Sequence, residues 1–267
     1  MRSVWYADTG AYYAGFLSYP TTLSGLLTYA STVTKDRAFY IISAVLRLIN
    51  GNARIYFLLI AFVQGICLLK FFRRYSSSYV LSIFLFVAST DVISWMFNGI
   101  RQFVAVSITL LAAPYIFQKK YFKAIVIILI ASLFHQSALL LIPFMFIVQG
   151  KAWNWKTLCF LAGVMVAVAF VGQFTGWLDA ALENTQYSNV VSDYTSWDDD
   201  GTNPFRVLVY SMPAIIAFFG KKTISGKGGA VINICANMSI ISAGFYLISM
   251  ATSGIFIGRL PIYFSLY

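Results

Sequence analysis

The sequence predicts an all-α fold, a polytopic transmembrane helical bundle. Hydrophobic residues make up 60% of the 267 residues, whereas charged residues make up only 10%. The mean hydropathy of +0.77 lies well above that of a soluble domain. The apolar runs are continuous rather than alternating with polar residues, which favours helices over a β-barrel. We therefore expect one integral membrane domain over residues 1–267.

Individual membrane spans are predicted where an apolar run approaches the roughly 17 to 25 residues that cross about 30 Å of hydrocarbon. Runs of or near this length lie at 55–72, 79–97, 101–117, 157–174, 205–219 and 230–252. The segment before residue 38 is polar and rich in tyrosine, and it contains no signal-peptide core. The apolar segment at 258–267 has barely begun where the chain stops, so we expect either a final half-helix or a fragment that lacks a first and a last span.

Basic residues in short loops predict the orientation of the spans, because such loops stay cytoplasmic. Three cytoplasmic turns follow from the clusters Lys70, Arg73 and Arg74, then Lys119, Lys120 and Lys123, then Lys221, Lys222 and Lys227. Residues 175–204 carry six acidic residues and no Lys or Arg, so we expect this loop and residues 1–37 to be extracytoplasmic. The net charge of +10 is then mainly an orientation signal and no mark of nucleic-acid binding.

The apolar segment 121–148 is too long for one ordinary span, and two interpretations remain open. A broken or re-entrant helix, with two arms meeting at His135-Gln136-Ser137, would keep the acidic loop on the outer side. Irregular backbone at membrane depth is tolerated where protein or a water-filled cavity covers it. A single long tilted helix would place the acidic loop inside, which costs little because acidic residues have a weak effect on orientation.

Polar clusters within the apolar sequence mark a candidate site. Arg101 opens a predicted span directly after Asn98 and Gly99, and His135 is the single histidine of the chain. Ionisable residues at membrane depth are costly and are usually functional. The planar guanidinium of Arg101 suits a phosphate group, although an arginine there can also extend to the lipid head groups. His135 could act as a base, donate a hydrogen bond or simply join two helices.

Further candidates lie on the same predicted outer side. Gln102 adds an amide beside Arg101, and Ser137 follows His135 by two residues. Arg259 opens another apolar segment, four residues before Tyr263, so that two arginines could face one cavity. Asp8 and Asp36 supply candidate carboxylates for acid–base chemistry.

No cofactor and no metal are expected. The run Asp198-Asp-Asp200 could in principle hold a divalent cation, but a solvated loop is the preferred interpretation. Cys67, Cys159 and Cys235 each lie in an apolar run, and three isolated cysteines match neither a disulfide framework nor a zinc pattern.

Three motifs carry a resemblance to a known family. Phe97-Asn-Gly-Ile-Arg-Gln-Phe-Val-Ala105, Lys119-Lys-Tyr-Phe-Lys123 and Ala131-Ser-Leu-Phe-His-Gln-Ser-Ala138 resemble the EpsG family, a Wzy-like group of bacterial exopolysaccharide and capsule polymerases. Trp5-Tyr-Ala-Asp-Thr-Gly-Ala-Tyr12 and the late elements Gly258-Arg259 and Tyr263-Phe264 are similar to family elements as well. Where the family tends to carry a Glu-Pro-Gly-like turn, this chain has Lys35-Asp-Arg-Ala-Phe39, which puts a glutamate-based role there in doubt.

The resemblance implies a multi-pass protein of the cytoplasmic (inner) membrane that polymerises repeat units, as in capsule or biofilm polysaccharides. Such a glycosyltransferase-type enzyme would move a polyprenyl-diphosphate-linked glycan onto an incoming lipid-linked unit at the outer face. Its partners would be a polyprenyl-diphosphate-linked oligosaccharide, membrane lipid and other polysaccharide-export proteins, with no nucleic acid. Two rival functions are a glycolipid transporter or flippase, expected to show paired broken helices in two halves, and a glycan O-acyltransferase.

Within that function, each candidate residue receives a predicted role. Arg101 and Arg259 are expected to bind the diphosphate, and His135 to act as a base or to orient the acceptor, with Asp36 or Asp8 as the alternative base. Gln102, Ser137 and Tyr263 would complete the substrate-binding set. Aromatic side chains are expected either to stack on sugar rings or to form an interfacial belt, and these are Tyr12, Tyr13, Tyr194 and Trp197.

Overall fold

The computed structural model describes residues 8–183 and 200–267, and the regular secondary structure in these residues is helical, which confirms the all-α prediction. The chain forms two compact units, Met1–Leu140 and Leu141–Tyr267. Three described helices are long and apolar enough to cross a membrane, namely Ala53–Tyr75, Ile100–Phe117 and Gly229–Ala251. Counting each bent helix pair as one span gives up to six. The prediction of a helical membrane protein is therefore confirmed.

The first unit begins with three short helices that the sequence analysis did not predict. These are α1 (Thr9–Ser18), α2 (Leu23–Thr32) and α3 (Arg37–Ile49). The Thr22 side chain accepts a hydrogen bond from the Gly25 backbone N–H and so caps the start of α2. In α3, Phe39 and Ser43 are buried and lie one helical turn apart, whereas Ile42 and Ile49 are exposed. An amphipathic helix of this length is missed by a search for long apolar runs.

The remaining helices of the first unit follow the predicted spans closely. Helix α4 (Ala53–Tyr75) corresponds to the span predicted at 55–72. The span predicted at 79–97 is divided into α5 (Tyr79–Ala88) and α6 (Thr90–Asn98), with a bend of 61° between them. Helix α7 (Ile100–Thr109), a 3-10 turn (Leu110–Ala112) and α8 (Ala113–Phe117) form the continuous helix Ile100–Phe117. Pro114 has no N–H to donate to the Leu110 carbonyl, which explains the local 3-10 turn.

The segment 121–148 is broken at the position that the first interpretation required. Helix α9 (Tyr121–Ser132) ends before a turn at 133–135, after which a 3-10 helix (Gln136–Leu140) leads into α10 (Leu141–Ile147). The Leu133, Phe134 and His135 N–H groups still bond to carbonyls of α9 and thereby close its last turn. The alternative of one uninterrupted tilted helix is therefore wrong. Helix α9 belongs to the first unit and α10 to the second.

The second unit is built around α15 (Gly229–Ala251), against which α11 (Trp155–Ala169) and α13 (Pro204–Phe219) pack. Helix α12 (Val171–Leu182) follows α11 with a bend of 106°, and α14 (Lys221–Lys227) follows α13 with a bend of 67°. A 3-10 turn (Ile257–Arg259) and α16 (Ile262–Ser265) complete the described chain.

Two boundaries in the second unit differ from the prediction. The span predicted at 157–174 ends at Ala169, and residues 175–182 of the predicted acidic loop are helical. The reason is an apolar stripe at four-residue spacing, Phe174, Leu178 and Leu182, which packs on the cluster formed by Val164, Ile248 and Ile257. Residues 184–199 of that loop lie outside the described residues.

Candidate functional site

An ion pair between Arg101 and Asp36 forms the centre of the candidate site. Arg101 Nη1 lies 2.7 Å from Asp36 Oδ2, a charge-assisted hydrogen bond as well as a salt bridge. The side chain of Asp36 is only 1% exposed, whereas that of Arg101 is 30% exposed. The carboxylate therefore lies inside the unit, and part of the guanidinium remains open to the surroundings.

Local backbone geometry places these two side chains. Arg101 lies in the first turn of α7, directly after Gly99, which separates α6 from α7. Asp36 immediately precedes α3 and has a left-handed backbone with φ of 46°. Aspartate is one of the few non-glycine residues that tolerate this region, and such a conformation persists only where the surrounding structure enforces it. The strained position of Asp36 is thus a feature of the site.

Two tyrosines complete the surroundings of the Arg101 guanidinium. Arg101 Nη1 donates a hydrogen bond of 2.9 Å to the Tyr40 hydroxyl, and the guanidinium lies 5.2 Å from the centre of the Tyr40 ring. Tyr12 also lies close to Arg101, whose positive charge lowers the pKa of the Tyr12 phenol against the effect of burial. Tyr40 follows Asp36 by one turn of α3, and its backbone N–H donates to the Asp36 carbonyl. One helical turn therefore supplies both an ionic and an aromatic partner to the arginine.

Packed side chains beneath the ion pair hold its helices together. Phe16, Phe39, Tyr56, Ile100 and Val104 form a buried cluster that joins α1, α3, α4 and α7. The Phe16 and Tyr56 rings stack with their centres 4.4 Å apart. Since these helices carry Tyr12, Asp36 and Arg101, their packing fixes the arrangement of the polar groups above the cluster.

Burial and nearby positive charge act in opposite directions on the ionisation of Asp36. Burial raises the pKa of the Asp36 carboxyl above its ordinary value, although the Arg101 guanidinium and the nearby Gln136 backbone N–H oppose that rise. Asp36 Oδ1 is buried, and no donor lies within the usual distance and angle of a hydrogen bond to it. Burial likewise raises the pKa of the Tyr12 phenol, again opposed by Arg101. The carboxylate thus has one oxygen held by the arginine and one oxygen buried inside the unit.

The break at 133–135 adjoins this ion pair. The Ala38 N–H, at the start of α3, donates a hydrogen bond of 2.9 Å to the Leu133 carbonyl. His135 Nδ1 and Ser137 Oγ are 2.6 Å apart, and both side chains are half-buried. The predicted residues Arg101, Asp36, His135 and Ser137 therefore belong to adjoining segments of the first unit.

The other predicted residues of the first unit take different positions. Gln102 is buried at 6% exposure, next to the partly exposed Arg101. Asp8 is exposed and precedes α1, where its carbonyl accepts a hydrogen bond from the Tyr12 N–H but its carboxylate makes no capping bond. Tyr13 is exposed as well. Of the two predicted carboxylates, Asp36 is the one paired with Arg101.

Arg259 and Tyr263 lie in the second unit. Arg259 ends the 3-10 turn Ile257–Arg259 and is half-buried, whereas Tyr263 in α16 is buried. The Ser253 hydroxyl accepts a hydrogen bond from the Phe256 N–H and closes the turn that leads to Arg259. That Arg101 and Arg259 face a common cavity stays a prediction.

Several predicted contributors lie outside the described residues, namely Tyr194, Trp197, Asp198 and Asp199. Within residues 8–183 and 200–267, no group of three or more His, Cys, Asp or Glu side chains is arranged to hold a metal ion.

Tyr40 was not predicted as a partner of Arg101, although its position four residues after Asp36 on an amphipathic helix was a usable signal. Two polar residues of the second unit, Asn233 and Asn237 on α15, were also not predicted. Their side-chain oxygens accept hydrogen bonds from the Ala152 and Trp153 backbone N–H groups, at 2.7 and 3.0 Å. Two asparagines one turn apart in an apolar span were the signal for this structural role.

Comparison with known proteins extends the resemblance seen in the motifs. A family model described as the EpsG family matches residues 2–267, nearly the whole chain and both units. No curated protein and no solved structure matches the chain.

Proposed function

Because the chain belongs to the EpsG family, a Wzy-like polymerase family, we propose that it polymerises lipid-linked glycan repeat units of an exopolysaccharide or capsule. In the proposed reaction, the growing glycan leaves its polyprenyl diphosphate and is transferred to the incoming lipid-linked unit at the outer face of the cytoplasmic membrane. The energy is contained in the glycosyl–diphosphate bond, so neither a nucleotide sugar nor a metal is required by the proposal.

The observation that carries this proposal is the paired Arg101 and Asp36 at the start of a membrane-crossing helix. During transfer, the bond between the anomeric carbon and the diphosphate oxygen breaks, and the diphosphate retains the electron pair. A fixed guanidinium stabilises such developing negative charge, and its planar donors match phosphate oxygens. The 30% exposure of the Arg101 side chain supports access for that group.

The second half of the reaction requires a base. The acceptor hydroxyl forms a new bond to the anomeric carbon and gives up its proton. We assign this role to Asp36, because burial raises the pKa of its carboxyl and its partner Arg101 is partly exposed. Oδ2, bonded to Arg101, keeps the carboxylate oriented.

His135 is proposed as a second proton acceptor or as the group that orients the acceptor sugar. Its short contact with Ser137 Oγ fixes the ring beside the segment that bonds to the start of α3. In the second unit, Arg259 and Tyr263 are proposed to bind the other diphosphate or the lipid-linked acceptor. Gln102 and Asp8 remain proposed contributors, with Asp8 as the weaker candidate for the base because it is exposed.

One structural observation keeps a glycolipid transporter as the second candidate. The sequence predicted one broken helix, at 121–148, whereas bent helix pairs occur in both units. The bend is 61° in the first unit, and the bends are 106° and 67° in the second. Discontinuous helices in two halves are typical of many transporters. The pairing of Arg101 with a buried carboxylate of raised pKa favours a reaction over transport.

Analysis of lipid-linked intermediates tests the proposal. A strain deleted for the gene should accumulate single lipid-linked repeat units at the outer face and should lack long polymer, and the wild-type gene should restore polymer length. Units trapped on the inner face would show a transporter instead. Normal polymer that lacks acyl substituents would show an acyltransferase.

A further inference from the structure

A second polar feature of the first unit is a cavity of about 570 Å³ between the ends of α4 and α8. It is lined by Lys70, Phe71, Arg74, Tyr75, Leu110, Leu111, Pro114, Tyr115, Gln118 and Ile127. Arg101 and Gln118 lie 17 positions apart on a nearly continuous helix, about 25 Å at the helical rise. The cavity is thus at the opposite end of the helix from the Arg101–Asp36 site and separate from it.

The charge of the cavity is uncompensated. Lys70 and Arg74 lie one turn apart on α4, and none of the lining residues is acidic. The Arg74 guanidinium lies 5.5 Å from the centre of the Tyr75 ring. Two cations among the lining residues, without a carboxylate, favour an anionic ligand.

The position of the cavity along the helices indicates a lipid rather than a soluble anion. The apolar helices Ala53–Tyr75 and Ile100–Phe117 both end here, and the ends of helices long enough to cross a bilayer are expected at the level of the head groups. The Tyr75 and Phe117 rings contact each other with centres 4.9 Å apart, and tyrosine is typical of this interfacial level. Leu69, Ile66 and Leu111 are exposed beside the cavity and offer an apolar surface to an acyl chain.

We propose that this cavity binds the phosphate of an anionic phospholipid head group. The Arg74 guanidinium and the Lys70 ammonium bond the phosphate oxygens, the former as a planar donor pair and the latter as a point charge. Basic cavities between helix ends on the cytoplasmic side are a recurrent means of binding such lipids. The inference is independent of the proposed polymerase activity.

The test measures binding of phosphatidylglycerol to the purified full chain in detergent by native mass spectrometry. The variant K70Q/R74Q removes both cavity cations, and R54Q/R73Q is its matched control. Arg54 and Arg73 are exposed residues of the same helix that do not line the cavity. Since each basic residue near the head groups contributes about a fivefold gain, we expect K70Q/R74Q to bind about 30-fold more weakly. The control should lose about fivefold or less.

Several outcomes would overturn the proposal. Equal losses in the two double variants would show general surface attraction, and equal binding of phosphatidylcholine would exclude recognition of net charge. Displacement of phosphatidylglycerol by an equal concentration of inorganic phosphate would show a soluble-anion site. Should K70Q/R74Q fail to fold, the single variants K70Q and R74Q replace it, and each is expected to bind about fivefold more weakly. Wild-type binding in both single variants would overturn the proposal.

Discussion

Arg101 and Asp36 are 65 positions apart in the chain, yet Arg101 Nη1 and Asp36 Oδ2 are 2.7 Å apart. The pair joins the start of α7 to the start of α3 and combines a partly exposed cation with a buried carboxylate. Leaving one member of a buried pair without its partner is strongly unfavourable, so each residue constrains the other. The predictions below separate the chemical role of this pair from its structural role.

Replacing Arg101 by Ala should abolish long polymer while folded protein remains in the membrane, because the leaving diphosphate loses its fixed cation. Arg101→Lys keeps the charge without the planar donors and should retain partial activity. Arg54→Ala, at an exposed arginine of α4, is the matched control and should leave polymer length unchanged. Polymer length is measured by gel analysis of the extracted polysaccharide. Wild-type length in Arg101→Ala would contradict the proposed role.

The rate of transfer should depend on the ionisation of Asp36. Because burial raises the pKa of its carboxyl, the base becomes protonated as pH falls through that raised value, and the rate should fall at a higher pH than an ordinary aspartate would give. Asp36→Asn should be slower by roughly 10²- to 10⁴-fold and should lack this acidic decline. The measurement is an in vitro assay with lipid-linked units across pH. An unchanged pH profile in Asp36→Asn would show that another group is the base.

The raised pKa of the Asp36 carboxyl should also make the stability of the folded chain depend on pH. A carboxyl whose pKa is higher in the folded chain binds its proton more tightly there than in the unfolded chain. The folded state should therefore be most favoured below the ordinary carboxyl pKa, and it should lose stability as pH rises from that value through the raised one. Asp36→Asn should remove this particular decline, which thermal unfolding in detergent at several pH values would show. An equal loss of stability with rising pH in the wild type and in Asp36→Asn would show that another group causes it.

Tyr40 should tune Arg101 rather than take part in bond making. Tyr40→Phe removes the hydroxyl that accepts a hydrogen bond from Arg101 but keeps the ring beneath the guanidinium. We expect a loss of about 1 kcal/mol, or roughly fivefold in rate. Tyr40→Ala also removes the ring contact and should be weaker than Tyr40→Phe. Equal activity of the two variants would show that the ring contributes nothing.

Asn237 should stabilise the second unit independently of activity. Its side chain bonds the Val148 and Lys151 carbonyls and the Trp153 N–H, so Asn237→Leu leaves buried polar groups without partners. Each such group costs about 1–3 kcal/mol, and the midpoint of thermal unfolding should fall by at least several degrees. Ser239→Ala, which loses one bond within the same helix, is the control and should change little. A smaller effect of Asn237→Leu than of the control would refute the anchoring role.

The membrane character and most helix positions could be predicted from the sequence because long apolar runs have a single stable solution in lipid. The prediction for α4 at 55–72 differs from Ala53–Tyr75 only by a few residues at each end. The short helices α1 and α3 could not be predicted in this way, since they are stabilised by packing of Phe16 and Phe39 on Tyr56 and Ile100. The extension of α12 to Leu182 could not be predicted either, because Asp179 made this stretch resemble a loop, whereas Phe174, Leu178 and Leu182 pack on a buried cluster.

By itself, the sequence determined that this protein is a helical membrane protein, that it is similar to the EpsG family, and that the segment 121–148 contains polar residues where a helix could break. Only the tertiary structure decided that the break occurs, that Asp36 rather than Asp8 pairs with Arg101, and that Tyr40 and Tyr12 complete the arginine's surroundings. The physical reason is the separation along the chain of the residues that interact. The hydropathy of a segment depends only on its own residues, so it can be calculated from the sequence. A buried ion pair depends on the packing of helices that are distant in sequence.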